Sequence, residues 1–227
     1  MTTPTGSAEP QARESIPSTA SRTAADGSTV LNDAGMIDIT EVLPIRPAVR
    51  DEDAPPHPLR PENEADARVW DLAAQVPDPE IPVIYIADLG ILRGAREEDG
   101  VAVAVITPTY SGCPAMEHIT ADVETALKQG GYESVRVETV LQPAWTTDWI
   151  TEFGKQNLLD YGIAPPTGKA RAAGGPIPLT LSTPGQVDCP RCGSSNTRKI
   201  NHFGSTSCKS LYTCNDCHEP FDYFKVH

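Results

Sequence analysis

Apolar positions are unevenly spread along the chain. Residues 1 to about 60 contain no Phe, Trp, Tyr or Cys and are dominated by Ser, Thr, Ala, Pro and acidic residues. Such a composition buries too little apolar surface to offset the entropy of ordering, so residues 1–60 are expected to form a disordered tail. One locally apolar stretch, Met36–Ile45, reads either as a docking patch or as an idle part of that tail.

From residue 61 the pattern becomes that of a packed domain. Ala65, Val69, Leu72, Ala73 and Val76 recur at helical spacing and stop at Pro77, which predicts a first amphipathic helix. The Pro77-Asp78-Pro79-Glu80-Ile81-Pro82 stretch is too rich in proline for a helix or a central strand and predicts an ordered irregular loop. A strand starting at Ile91–Arg93, a turn at Glu97–Gly100 and a second strand at Val101–Ile106 follow. The second strand is apolar on both faces and belongs inside a sheet. Met116, Ile119, Val123, Ala126 and Leu127 then mark a helix that Pro114 opens and Gly130-Gly131 ends. Val135–Leu141 reads as a third strand, and Thr147 as the cap of a last helix carrying Ile150, Phe153 and Leu158.

A hairpin, a crossover helix and a further strand predict an α+β fold, a small layered domain over residues 61–166. Gly174-Gly175-Pro176 and Pro184-Gly185 place a linker at 167–186, and residues 187–227 form a separate small β unit. The formal net charge is −13 and the sequence pI about 4.7. This balance argues against nucleic acid as a partner. The last segment sets Arg191, Arg198, Lys199, Lys209 and Lys225 against Asp188, Asp216, Glu219 and Asp222, too even a balance for phosphate binding. The first thirty residues lack a basic segment followed by an apolar run, and the chain has no stretch of about eighteen apolar residues, so a cytoplasmic protein with no membrane span is expected.

The most specific chemical signal is a pair of CxxC motifs, Cys189/Cys192 and Cys214/Cys217, separated by 21 residues. A two-residue spacer lets both thiolates of a pair reach one ion, and two such knuckles supply four soft ligands for a closed tetrahedral site. Zn²⁺ is the expected ion, making this segment a zinc ribbon. A rubredoxin-like iron site is the rival, and a pair of disulfides is the plainer alternative that a reducing compartment disfavours.

Cys113 is the second chemical candidate. It sits in a Gly-Cys-Pro turn before a predicted helix, where backbone N–H groups favour a thiolate and Glu117 opposes it. An inert core thiol is the competing reading. His118 reads as a solvated helix residue, and no Cys-His-Asn set suggests a hydrolase. Cys208 has no partner in sequence and reads as a packed residue of the ribbon hairpin or as a spare ligand for a transient cluster.

Three segments carry a resemblance: Asp78-Pro79-Glu80-Ile81-Pro82, Asp88-Leu89-Gly90, and the loop from Thr107 to Pro114. They are similar to the iron–sulfur cluster assembly domain of cytosolic targeting factors and of the T protein of the SUF system. The resemblance implies that Cys113 is the functional thiol. Asp88 and Cys208 are possible additional site residues. The ribbon segments Cys189–Cys192, Phe203–Lys209 and Glu219–Lys225, together with Trp145–Ile150 and Gly162–Pro166, resemble the phenylacetyl-CoA epoxidase D-subunit family over about residues 62–227. Members often end in a further cysteine after the Phe-Lys pair, where this chain has Val226. The end of the chain is therefore a poor source of a cluster ligand.

That resemblance implies a place in aerobic phenylacetate breakdown, beside a di-iron oxygenase and a reductase carrying flavin and an iron–sulfur cluster. The expected role is an accessory maturation subunit that carries Zn²⁺, handles an iron–sulfur cluster transiently and partners the reductase or oxygenase subunits. The alternative is an electron carrier with an iron-loaded ribbon. No bundle helix carries a Glu-x-x-His motif, so oxygen chemistry on this chain alone is not expected. A homodimer would bring two Cys113 turns together if their loops met.

Overall fold

The computed structural model describes residues 47, 48, 50, 54–168 and 187–226. They fall within one compact unit, Ile45–His227. Most of the expected tail, its Met36–Ile45 patch and residues 169–186 of the expected linker lie outside the described residues.

The structure is mixed α and β. Helix α1 (Glu64–Ala73) starts where Asn63 accepts a hydrogen bond from the Asp66 N–H, and buries Ala67, Val69, Trp70 and Ala73. Residues just before it are already engaged, because Arg60 makes a forked pair with Asp71 at 2.7 Å and His57 lies over Trp70 at 5.1 Å. The proline-rich loop that follows is irregular and ordered. Asp78 Oδ1 accepts from the backbone N–H groups of Glu80 and Ile81 at 2.9 and 2.8 Å, supplying bonds that no regular element could give there.

Strands β1 (Leu92–Glu98) and β2 (Val101–Ile106) form an antiparallel hairpin. Asp99 and Gly100, both at positive φ, make its turn. Helix α2 (Ala115–Gln129) crosses over to β3 (Ser134–Thr139), which pairs parallel with β2. The apolar strand β2 is thus central in the order β1-β2-β3. Helices α1 and α2 pack on this sheet and against each other around Ile84, Ile86, Leu92, Ile106, Ile119 and Leu127.

The last helical segment differs from its sequence expectation. Thr146, not Thr147, caps a single 3₁₀ turn over Thr147–Trp149. Ile150 is then extended, and Thr151 caps helix α3 (Glu152–Asp160) through its hydroxyl and the Gly154 N–H. Two hydroxyl caps five residues apart outcompete one continuous helix.

Strand β4 (Ile163–Ala164) leaves α3 and pairs parallel with β7 (Pro220–Phe224) of the C-terminal ribbon. With β5 (Thr197–Asn201) and β6 (Lys209–Cys214) this makes a second sheet, in the order β4-β7-β6-β5. Two cores result. Tyr212, Phe221 and Tyr223 gather with Cys189 and Cys214 in the ribbon, whereas Phe224 and Cys208 of the ribbon are buried in the larger core of the first layer. Phe224 meets Trp145 there at 6.1 Å.

Candidate metal centre and thiol site

The two CxxC knuckles are brought together by the ribbon sheet. Cys189 opens its knuckle with its N–H donating to Ser194 O, and the Gly193 N–H returns to Cys189 O, with Gly193 at positive φ. The second knuckle is closed by the Cys214 N–H donating to Glu219 O. Polar side chains join the two. Asp216 accepts from the Ser194 hydroxyl and, at 2.7 Å, from Asn196 Nδ2, while Asn215 donates to Asn196 through both backbone and side chain at 2.8 and 2.9 Å.

All four sulfurs lie within 4.8 Å of one another. Cys189 and Cys217 Sγ are 3.7 Å apart and Cys192 and Cys214 Sγ 3.6 Å apart. Those distances far exceed an S–S bond of about 2.05 Å, and all six cysteines are free, which removes the disulfide alternative. A tetrahedron with metal–sulfur bonds of about 2.3 Å has sulfur–sulfur edges of about 3.8 Å. The donor set therefore fits a closed four-thiolate metal site.

The electrostatics point the same way. Backbone N–H groups of Cys217 and Asp216 lower the Cys214 thiol to about 7 despite its desolvation. Cys192 has one favourable bond from the Ser194 N–H, but the neighbouring Cys217 thiol, desolvation, Cys214 and Cys189 push it up to about 12. Four thiols this close cannot all ionise without a cation among them.

Cys113 stands in the loop between β2 and α2. Gly112 is at positive φ with open space around it, so the turn needs glycine for its backbone and not for room. The thiol is half-buried and packs against the main core. Its electrostatics differ from the sequence expectation. The Ala115 N–H at the start of α2 and the Thr109 side chain do favour the thiolate, but desolvation, Glu80 and Asp78 outweigh them and raise the thiol above its ordinary value. Glu117 and His118 are exposed and have no part in this balance.

Asp88 is the other core candidate. It is buried, pairs with Arg50 and accepts from the Thr151 hydroxyl at 2.6 Å, while its carbonyl accepts from the Thr151 N–H. Its neighbour Leu89 accepts from Trp145 Nε1 at 3.0 Å. Gly90, at φ +78°, lies so close to Trp149 that a Cβ would stand 2.7 Å from the tryptophan Cβ. The Asp-Leu-Gly triplet thus holds the segment from Trp145 to Thr151 in place.

Cys208 is buried in the larger core and not in the ribbon's own. Its thiol lies 2.9 Å from the Thr206 hydroxyl. Burial raises it, with Thr206 and Lys209 acting the other way and Glu80 and Asp78 adding to the rise. Sequence reasoning did not assign roles to Asp78, Glu80, Thr109 and Tyr110. The signal available was their place in the two segments that carried the resemblance.

Comparison with known proteins agrees with this layout. The family described as iron-sulfur cluster assembly protein matches residues 66–139, and the PaaD zinc beta ribbon domain matches residues 174–225. The D subunit of the Escherichia coli (strain K12) "Putative 1,2-phenylacetyl-CoA epoxidase" is 47% identical over 157 residues, covering 69% of this chain and 90% of that protein. A Porphyromonas gingivalis Fe-S protein maturation auxiliary factor is 33% identical over 88 residues, which cover 38% of this chain and 80% of its own length. Among solved structures, a Bacillus anthracis domain of unknown function, DUF59, aligns with 41% of this chain and 90% of its own at 26% identity and a TM-score of 0.39. No helix among the described residues is long and apolar enough to cross a membrane. The chain belongs to the family of phenylacetyl-CoA epoxidase D subunits, in which an iron–sulfur cluster assembly domain is followed by a metal-binding ribbon.

Proposed function

We propose that this protein is an accessory maturation subunit of a phenylacetyl-CoA epoxidase, which helps to assemble the iron–sulfur cluster or metal centre of its partner subunits. The observation that carries this reading is the joining of an assembly-type domain containing Cys113 to the ribbon that occurs in an epoxidase-subunit relative. The reductase or the oxygenase subunit is the proposed client, in the cytoplasm. Cys113 is the functional thiol. Cys189, Cys192, Cys214 and Cys217 hold one Zn²⁺, whose part is to fold and orient the ribbon. The domain division at residues 61–166 and 187–227 belongs to the same proposal, with the short strand β4 tying the two together.

Two measurements test it. Cys113→Ala in a strain lacking the wild-type chain is expected to abolish growth on phenylacetate and to lower the cluster content of the reductase, whereas the matured epoxidase is expected to turn over without this protein. Full growth of the variant, or a matured complex that needs the protein at each assay, overturns the reading. Purified protein is expected to be colourless and to carry one zinc, since a ferric thiolate site absorbs visible light.

A further inference from the structure

Arg93 is placed by an irregularity in its strand. Leu92 stands opposite Ile106 and Gly94 opposite Val105, so Arg93 is an extra residue of β1 with no partner of its own in β2. A bulge of this kind breaks the ladder locally and re-aims a side chain. The Arg93 guanidinium lies over the Trp149 ring, 3.6 Å from its centroid. It is partly buried, and desolvation lowers it from its ordinary value. Arg50, Arg60, Arg96 and Arg136 each have a carboxylate partner, whereas no carboxylate among the described residues forms an ion pair with Arg93.

A cavity of about 1020 Å³ opens beside this guanidinium, large enough for a small organic molecule. Leu59, Ile150 and Phe153, with the prolines of the 54–59 segment, make much of its wall apolar. Two other charges in the wall are already offset. Arg50 lies over the Phe153 ring at 4.8 Å and pairs with Asp88, and Glu152 accepts from Lys155 at 2.7 Å. Asp148 also lines the cavity but forms no ion pair with Arg93. Taking a charge out of water without a counter-charge is costly, and an indole face offsets only part of that cost. An anion completes the balance. With its face on Trp149, the guanidinium keeps its N–H edge for two parallel bonds to a carboxylate. One uncompensated charge suits a monoanion, since a phosphate dianion would bring a second negative charge among apolar walls and towards Asp148.

We propose that this cavity binds a small organic monocarboxylate with an apolar body, its carboxylate held by Arg93 beside Trp149 and its body against Leu59, Ile150 and Phe153. The wall is already fixed in shape. Trp149 is held against Gly90, and Thr151 is bonded to Asp88 through both its hydroxyl and its N–H. Neither Cys113 nor any of the four ribbon cysteines lines the cavity, so the site is separate from both thiol sites. It goes beyond the maturation reading and does not depend on it.

The test uses the full, zinc-loaded chain with naphthoate as the probe, and naphthamide and naphthyl phosphate as its neutral and dianionic counterparts. Titration calorimetry is expected to show saturable binding of naphthoate, with both counterparts weaker by about tenfold or more. Arg93→Gln is expected to weaken naphthoate by a similar factor and to leave naphthamide nearly unchanged, a split that a general loosening of the fold would not produce. Indole N–H signals of the wild-type chain give a second measurement that stands if an Arg93 variant fails to fold. Naphthoate is expected to shift the Trp149 signal, assigned through Trp149→Phe, more than those of Trp70 and Trp145. No saturable binding, equal affinity for naphthoate and naphthamide, tighter binding of naphthyl phosphate, an unchanged affinity in a folded Arg93→Gln, or a main shift at Trp70 or Trp145 overturns the proposal.

Discussion

The assembly domain and the ribbon are held together by different physics. The first has a continuous apolar core in which Trp70, Ile84, Ile86, Leu92, Ile106, Ile119 and Leu127 are almost wholly buried between two helices and a sheet. The ribbon gathers only Val187, Tyr212, Phe221 and Tyr223 around its cysteines, together with Ala164 from β4. Apolar burial contributes roughly 1.5–3 kcal/mol per large side chain, and so few side chains cannot offset the ordering of some forty residues. The ribbon has two other supports, a metal among its thiols and the insertion of Phe224 into its neighbour's core. One chain thus combines a domain with a large apolar core of its own and a ribbon whose own core is small.

Removing the metal should produce the largest effect. Structural zinc binding amounts to about 10–16 kcal/mol in small finger domains near neutral pH and is itself folding free energy. Chelation, or Cys192→Ser, is expected to abolish the ribbon's amide protection over residues 187–226 while α1, α2 and β1–β3 stay protected. Hydrogen exchange read by mass spectrometry checks this. An ordered ribbon with stoichiometric metal in Cys192→Ser would sink the assignment, and equal loss of both regions would show that they fold as one unit.

Phe224→Ala tests the other support. The ring is wholly buried against Trp145, and truncations of this kind cost about 3–5 kcal/mol. Unlike metal removal, this change should lower the thermal stability of both regions and leave zinc stoichiometry intact. A variant in which only the ribbon loosens would place Phe224 outside the shared core.

Gly90→Ala should act on the assembly domain alone. A side chain there meets a positive φ and the Trp149 Cβ at 2.7 Å. Backbone strain of about 1–3 kcal/mol adds to overpacking of about 1–3 kcal/mol. The expected loss is about 2–6 kcal/mol in chemical denaturation, with unchanged metal binding. A cost below about 1 kcal/mol would mean that the Trp145–Thr151 segment yields easily.

Much of this division can be read in the sequence, for reasons that differ by region. Period-3.6 stripes at Val69 and at Ile119–Val123, the two-sided apolar run Val101–Ile106 and the paired CxxC spacing each encode local geometry directly, and the helices, the central strand and the converging thiols follow from them. The contacts of Phe224 and Cys208 with the larger core do not, because they join residues far apart and depend on β4, two residues long, pairing with β7. No periodicity announces a two-residue strand. The balance at Cys113 was half legible: the helix start was visible, but the approach of Asp78 and Glu80 depends on how the proline-rich loop folds back. The bonds of Asp88 to Arg50 and Thr151 likewise join residues far apart, and the Asp-Leu-Gly motif does not announce them.

The smallest and most local prediction concerns the charge around the two core thiols. Desolvation is the main cause of the raised Cys113 thiol, and Glu80 and Asp78 add to it. Because the folded value lies above the unfolded one, the stability contributed by the protonated thiol is complete below the ordinary thiol value of about 8.5. It is lost as pH rises through the folded value. The rate of Cys113 alkylation should therefore climb at higher pH than for an unfolded cysteine. Glu80→Gln removes one repelling charge, and Asp78→Asn removes another while its side-chain oxygen can still accept from the Glu80 and Ile81 N–H groups. Each substitution should shift the alkylation profile to lower pH, Glu80→Gln by more, because Glu80 is the stronger of the two influences on this thiol. Neither should alter ribbon zinc, since neither belongs to the four-thiol set. Peptide-resolved alkylation across a pH series checks the order. Profiles that coincide with the wild type would leave desolvation as the whole cause and would separate the carboxylates from the chemistry of Cys113.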